Sequence, residues 1–463
     1  MTKAKLSRLS RIATLKPDPW QAVFAALLGF FLAFSFLKFG NPVVLDYLVN
    51  QDLSATNYLN ATTSMTSLFT GRATGFDMIY EPLPVAWGYA LLAIIVMVAL
   101  KVGRLHKPKP AWLAYLPAVW LFWQLIASTQ TINPRLTQVT LAHMTACVVC
   151  YYLGLFALSR VTNLKPLWIG LMVGFLLVLW LGLNQHYGGL EATRRSIYEQ
   201  PDWQQLPREF LKKLTSGRIY GTLVYPNALA GFILVFLPVT VITAWLLSAK
   251  LAVVSRGVIA GTIAYTGLAC LVWSGSKSGW LIALFIGVAI LLKSRLRLTI
   301  KMILLGLILG LGLTGFYWRH SGYFERGATS VSARFDYWRA AGDTFRRHPV
   351  FGTGPGTFAK AYQAVKRPES EMARLCHNDY LEQASDSGFV GFMAYSVFII
   401  GSLAFLYRNS MLRSDLTKLA IWIGLMSWAM QGMVEFGLYI PALAWPVFLF
   451  HGWLLGATTE QEG

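Results

Sequence analysis

Acidic residues are scarce in this chain: 21 Asp and Glu stand against 40 Lys and Arg in 463 residues. Charge of either sign is scarce as well, at 13% of the sequence, while 55% is hydrophobic and 14% aromatic. So little charge cannot cover one or two soluble domains, and the composition calls for a membrane protein. Cysteine is limited to four residues. Cys147 and Cys150 form a C-x-x-C inside an apolar helix, Cys270 lies in another, and Cys376 falls in a loop without a second loop cysteine. That placement excludes a disulfide framework or a zinc site and reads as buried cysteine acting as a small hydrophobe. No D-x-D pair occurs, and the acids of the first outer loop, Asp46, Asp52, Asp77 and Glu81, are scattered, so no carboxylate pair is placed to hold a divalent metal.

What the chain has in abundance is long apolar runs. A window of about 19 residues finds roughly twelve stretches able to cross hydrocarbon as helices. They fall near 20–39, 84–100, 111–129, 138–158, 167–184, 227–248, 257–273, 279–292, 302–318, 389–407, 419–437 and 441–456. The first run is too long for a signal peptide and no A-x-A-like site follows it, so it reads as an anchor. The expected fold is therefore all-α and polytopic, a single integral membrane domain over 1–463 with a partly helical extracytoplasmic cap loop.

The net charge of +19 is distributed by a membrane rule rather than as a nucleic-acid footprint. Lys3, Lys5, Arg8, Arg11 and Lys16 precede the first helix, Lys101 to Lys109 follow the second, and Lys293 to Lys301 and Arg408 to Lys418 recur on the same side. The positive-inside rule then puts both termini in the cytoplasm and the loops near 40–83, 185–226 and 319–388 outside. The last two of these are basic as well, which long translocated loops tolerate, and the excess suits an anionic ligand on the outer face. Within them, Leu206, Phe210, Leu211 and Leu214 share one helical face, and Phe335, Trp338, Ala341 and Phe345 form a second stripe ended by Pro349 and Gly352. The glycine-rich GTGPGTF lacks the strand and helix of a nucleotide loop and reads as a turn. The reading calls for no cofactor, no metal and no nucleic acid.

Three outer stretches carry candidate chemistry. Arg218 stands just before the sixth apolar helix, whose first turn suits Pro226; its forked guanidinium fits phosphate oxygens, and an interfacial arginine reaching headgroups is the bland alternative. In WSGSKSGW, small residues let backbone N–H groups and Lys277 face an anion at a helix start, or else make an ordinary re-entry turn. His377 is followed by Asn378, Asp379 and Glu382 at another helix start, where the helix N-terminus and nearby cations favour the neutral imidazole that a general base needs. Glu435, near the outer end of the eleventh run, is an ionisable group with no assigned role.

Taken in order, these stretches resemble the O-antigen ligase and O-antigen polymerase superfamily of bacterial membrane glycosyltransferases. The resemblance rests on R-x-x-G-T-x-x-x-P-N-x-L-A-G at 218–231, S-K-x-G at 276–279, ARFDYWRAAGDTFRRHPVFGTGPGTF and HNDYLEQASDSGFVG. It implies a polyprenyl-pyrophosphate glycan donor, a glycan or lipid A-core acceptor, and a bilayer setting in the bacterial inner membrane. It also implies that Arg218 and Lys277 hold the pyrophosphate, that His377 is the catalytic base, and that Arg334 serves ligand binding or loop architecture. Lys277 stands where the family usually has arginine, which keeps the charge and loses the bidentate fork. The chemistry expected is metal-independent transfer with inversion. A polymerase of the same superfamily, a transporter of lipid-linked sugars, and a scaffold protein are the competing readings; charges concentrated in outer loops rather than at mid-membrane weigh against transport.

Overall fold

The structure is a computed structural model and describes residues 18–45, 79–80, 82–103, 108–199, 203–205, 215–223, 225–325, 329–368, 370–408 and 415–459. The acids of the first outer loop and the amphipathic stretch at 206–214 lie outside the described residues. In chain order the principal helices are α1 Pro19–Lys38, α2 Ala86–Val102, α3 Ala111–Ala127, α4 Pro134–Phe156, α5 Lys165–Asn184, α6 Leu190–Tyr198, α7 Pro226–Leu247 and α8 Val253–Trp273. They continue as α9 Lys277–Lys293, α10 Leu298–Glu325, α11 Thr329–Arg347, α12 Phe358–Val365, α13 Asp379–Arg408, α14 Leu416–Gln431 and α15 Pro441–Thr459. No strand occurs among the described residues.

Each apolar stretch read from the sequence is helical over most of its length. Eight helices among the described residues are long and apolar enough to cross a membrane, and α2 is a shorter apolar helix of 17 residues. Local chemistry sets the starts: Asp18, Asn133, Ser276 and Asp415 each accept a first-turn backbone N–H, and Pro19, Pro134 and Pro226 occupy first-turn positions where a missing N–H costs nothing. The centre of the bundle is packed through small residues. A Cβ at Gly154 of α4 would collide with Leu449 O of α15, and one at Gly452 with Tyr151 O, so these two helices meet backbone to backbone. By contrast α10 packs mainly on α9, and none of its apolar window is buried.

One helix that helps build the candidate site runs well beyond its apolar core. α13 begins ten residues before its apolar run, with a kink at Gly388 (φ 67°, ψ −165°) where Phe389 N donates to Pro349 O at 2.8 Å. The GTGPGTF turn docks against this overhang: Thr353 N and Gly354 N donate to Ser385 O and Asp386 O, and Gly356 N to Asp386 Oδ2 at 2.7 Å. α11, α12 and the segment leading to His377 share a small apolar cluster of their own, built on Tyr337, Ala341, Phe358, Tyr362 and Cys376. The buried face of α11 is thus Tyr337, Ala340, Ala341 and Thr344, and Phe335 of the expected stripe is 61% exposed.

Candidate functional site

The starts of α7, α9 and α13 and the ends of α8, α10 and α14 meet at one end of the bundle, because successive helices run in opposite directions. The candidate residues lie at these ends. Arg218 precedes α7 and reaches two ways: its Nε donates to Ser274 O at 2.7 Å and its Nη2 to Asn227 Oδ1 at 2.6 Å. The turn beneath it requires Gly275, which sits at φ 62° and where a Cβ would stand 3.1 Å from Arg218 Nε. Much of the expected N–H nest in this turn is already used internally. Gly275 N bonds Val272 O, Ser276 N bonds Ser274 Oγ, and Gly279 N bonds the capping Ser276 Oγ. Lys277 is left as the turn's anion-seeking group, with its Nζ 3.7 Å from the centroid of the Tyr323 ring.

Glu435, unassigned by sequence, is the hub. It lies in the turn after α14 and is 5% exposed. Oε1 pairs with Arg334 Nη2 and accepts Asn227 Nδ2 at 2.6 Å, while Oε2 faces His377 Nδ1 at 3.1 Å. Burial alone would raise its pKa, but the contacts with His377, Arg334 and Asn227 outweigh it and hold the carboxyl below its ordinary value. Arg334 gives its remaining nitrogens to Val434 O (3.1 Å) and Ser330 O (3.2 Å). Ser330 Oγ in turn meets the Tyr323 hydroxyl at 2.6 Å. A closed ring of contacts therefore runs from Lys277 through Tyr323, Ser330, Arg334, Glu435, Asn227 and Arg218 back to the turn at Ser274.

His377 hangs on this ring through Glu435. Its side chain is half-buried between the Tyr337 ring, at 5.8 Å and 26°, and the Phe436 ring, at 4.7 Å and 75°. Its backbone takes φ 55°, and it is the only non-glycine residue with positive φ among the described residues. That conformation costs about 1–2 kcal/mol and persists only where neighbours impose it. Sequence had surrounded His377 with cations and a helix start, and the fold adds a carboxylate at Nδ1.

Electrostatically the site is short of negative charge. Arg218 is lowered from its ordinary pKa by burial; Glu435 opposes the shift, while Arg334 and Arg319 add to it. Arg218, Lys277, Arg319 and Arg334 are four cations within mutual electrostatic reach against one carboxylate. The structure thus brings Arg218, Lys277, Arg334 and His377 together and adds Glu435, Asn227, Tyr323 and Arg319. Asn227 was visible in the P-N of the 218–231 pattern and Glu435 as an ionisable group at a helix end; nothing in the sequence pointed to Tyr323. Among the described residues no cluster of three or more His, Cys, Asp or Glu is arranged to hold a metal ion.

Fold and site define a helical membrane protein with a cationic, histidine-bearing centre at one end of its bundle. Residues 262–396 match the O-antigen ligase family, and over that segment the chain is similar to it. It is also 27% identical over 159 residues to an uncharacterised protein of Haemophilus influenzae; the match covers 29% of this chain and 40% of that protein. The family match reaches from α8 through the S-K-x-G turn and His377 into α13, and Arg218, Asn227 and Glu435 lie outside it.

Proposed function

We propose that the chain is an O-antigen ligase-like transferase. It moves a glycan from polyprenyl pyrophosphate to an acceptor hydroxyl, on lipid A core or another glycan, at the outer face of the bacterial inner membrane. Both termini face the cytoplasm in this arrangement, as the distribution of basic residues favours. The observation that carries the reading is a histidine oriented by a buried carboxylate within a cluster of cations.

Nδ1–H of His377 donates a hydrogen bond to the Glu435 carboxylate, which leaves the Nε2 lone pair for the acceptor hydroxyl. Nε2 takes the hydroxyl proton as the oxygen attacks the anomeric carbon from the side opposite the phosphate. The carbon–oxygen bond to phosphate breaks, its electron pair leaves on the pyrophosphate, and the sugar is inverted. Pyrophosphate is already a good leaving group, so the step needs charge offset more than an acid. Arg218, whose Nη1 is uncommitted to the protein among the described residues, and Lys277 provide it, so the reaction is assigned no metal and no cofactor. Arg334 spends one N–H of each nitrogen on Val434 O, Ser330 O and Glu435, so in this reading it holds Glu435 and keeps two further N–H groups for ligand.

The test compares wild type and His377→Ala in nanodiscs with a polyprenyl-pyrophosphate glycan and EDTA. The expected result is transfer that survives EDTA and falls by about 10²–10⁴ in the variant. Equal transfer by the variant sinks the role of His377, and loss of transfer in EDTA sinks the metal-free step. Growth of the glycan on its own lipid carrier marks a polymerase, whereas transfer to a separate acceptor marks a ligase.

A further inference from the structure

The first two turns of α13 carry three acids, Asp379, Glu382 and Asp386, on one helical face, and all are fully buried. Burying carboxyl groups is costly unless they are hydrogen-bonded, and among the described residues none of the three has a cation partner. Each instead accepts a backbone N–H from a different segment. Glu382 Oε2 takes Cys376 N at 2.9 Å, Asp379 Oδ2 takes Leu438 N at 3.1 Å, and Asp386 Oδ2 takes Gly356 N at 2.7 Å.

The first two bonds bracket the candidate catalytic pair. Cys376 immediately precedes His377, so Glu382 holds the backbone N–H one residue before the positive-φ residue. Asp379 ties the Glu435 turn at both ends: its N–H donates to Gly432 O at 2.7 Å and its carboxyl accepts from Leu438 N, three residues before and three residues after Glu435. The Leu438 peptide is gripped on its other side too, since buried His143 Nε2 meets Leu438 O at 2.7 Å while Trp445 Nε1 donates to His143 Nδ1. One helical turn is thus the common reference for His377 and Glu435, which sit 58 residues apart.

We propose that Glu382 and Asp379 are positioning residues that set the His377–Glu435 contact. The proposal rests on the reading of His377 as base, and it concerns placement rather than charge: an oxygen acceptor at each position is what matters. Donor binding, through Arg218 and Lys277, is untouched.

The experiment measures kcat and donor KM for glycan transfer in full-length Glu382→Ala, Glu382→Gln, Asp379→Ala and Asp379→Asn. Alongside, carbethoxylation of His377 is followed by peptide mass spectrometry, which reads the exposure of the ring without relying on turnover. Displacing a base by about 1 Å can cost about 10²-fold, so the alanine variants are expected to lose at least about tenfold in kcat at unchanged KM, with His377 labelled several-fold faster. Gln and Asn keep a carbonyl oxygen for the same N–H and are expected to restore kcat and labelling to within about threefold of wild type. Folded alanine variants with wild-type kcat and labelling overturn the proposal, as does a loss in Gln and Asn equal to that in alanine. Where an alanine variant fails to fold, the amide variants decide alone: wild-type kcat supports placement and more than about tenfold loss refutes it. If wild type itself transfers nothing, the transferase reading fails, and the labelling rates still decide whether these acids place His377.

Discussion

Replacing Glu435 by glutamine separates what this residue does for the fold from what it does for the reaction. Oε1 receives both Arg334 Nη2 and Asn227 Nδ2, and Oε2 faces His377 Nδ1. In the Glu435→Gln variant the carbonyl oxygen must take the Oε1 place, because two donors point there. The amide nitrogen then presents its own hydrogen to His377 Nδ1. Nδ1 becomes an acceptor, the imidazole proton moves to Nε2, and Nε2 can no longer receive the acceptor's proton. Stability changes little, since the Arg334 bond passes from charged to neutral acceptor at a cost of about 1 kcal/mol. Alanine removes the acceptor altogether and strands a largely buried guanidinium, costing about 3–5 kcal/mol. Glu435→Gln is therefore expected to unfold near the wild-type temperature yet lose about 10²–10⁴ in transfer rate, the range a general base supplies. Thermal unfolding and glycan transfer measured on the same nanodisc preparation check this. Glu435→Gln transferring within about threefold of wild type would refute the orienting role and the tautomer argument with it.

Glu435 is held below its ordinary pKa of 4.5, so it stabilises the fold above that value and the contribution is lost as pH falls through the native pKa. The difference in Tm between wild type and Glu435→Gln should be steady above about pH 5 and close on acidification; a gap that widens contradicts the sign. Asn227→Ala unties Arg218 from Glu435 and should raise donor KM about tenfold, the equivalent of one charged hydrogen bond, with an unchanged KM counting against the clamp. Lys277→Ala should also raise donor KM about tenfold, and Lys277→Arg should recover most of it; an arginine variant as weak as alanine would show that charge is not the requirement. At Gly388 a Cβ would collide with Val350 O at positive φ, so Gly388→Ala should lower Tm and loosen the docked 349–356 turn to proteolysis, and an unchanged Tm would argue against the kink as built.

The helices were legible because hydrocarbon leaves backbone groups no partner but each other, so an apolar run of sufficient length is helical wherever it sits. The capping residues and the first-turn prolines are local rules of the same kind, and Pro226 falls where they put it. Arg218, Lys277, Arg334 and His377 could be singled out because each is a charged or titratable group beside a break in an apolar pattern. Their company was not legible. α13 outruns its apolar core because its acids find backbone donors at Cys376, Gly356 and Leu438, and the last two lie too far off in sequence to suggest it. In the 275–279 turn the N–H groups of Gly275, Ser276 and Gly279 are taken by internal bonds that the sequence did not reveal. Glu435 stood in the sequence as an acid at a helix end, equally suited to an interface or a site. Composition and periodicity determine that this chain is a bundle of apolar helices with its charged candidate residues at their ends. Only tertiary packing decides that Glu435 meets His377, Arg334 and Asn227, because contacts between residues tens to hundreds of positions apart are set by how helices align, and no local pattern encodes that alignment.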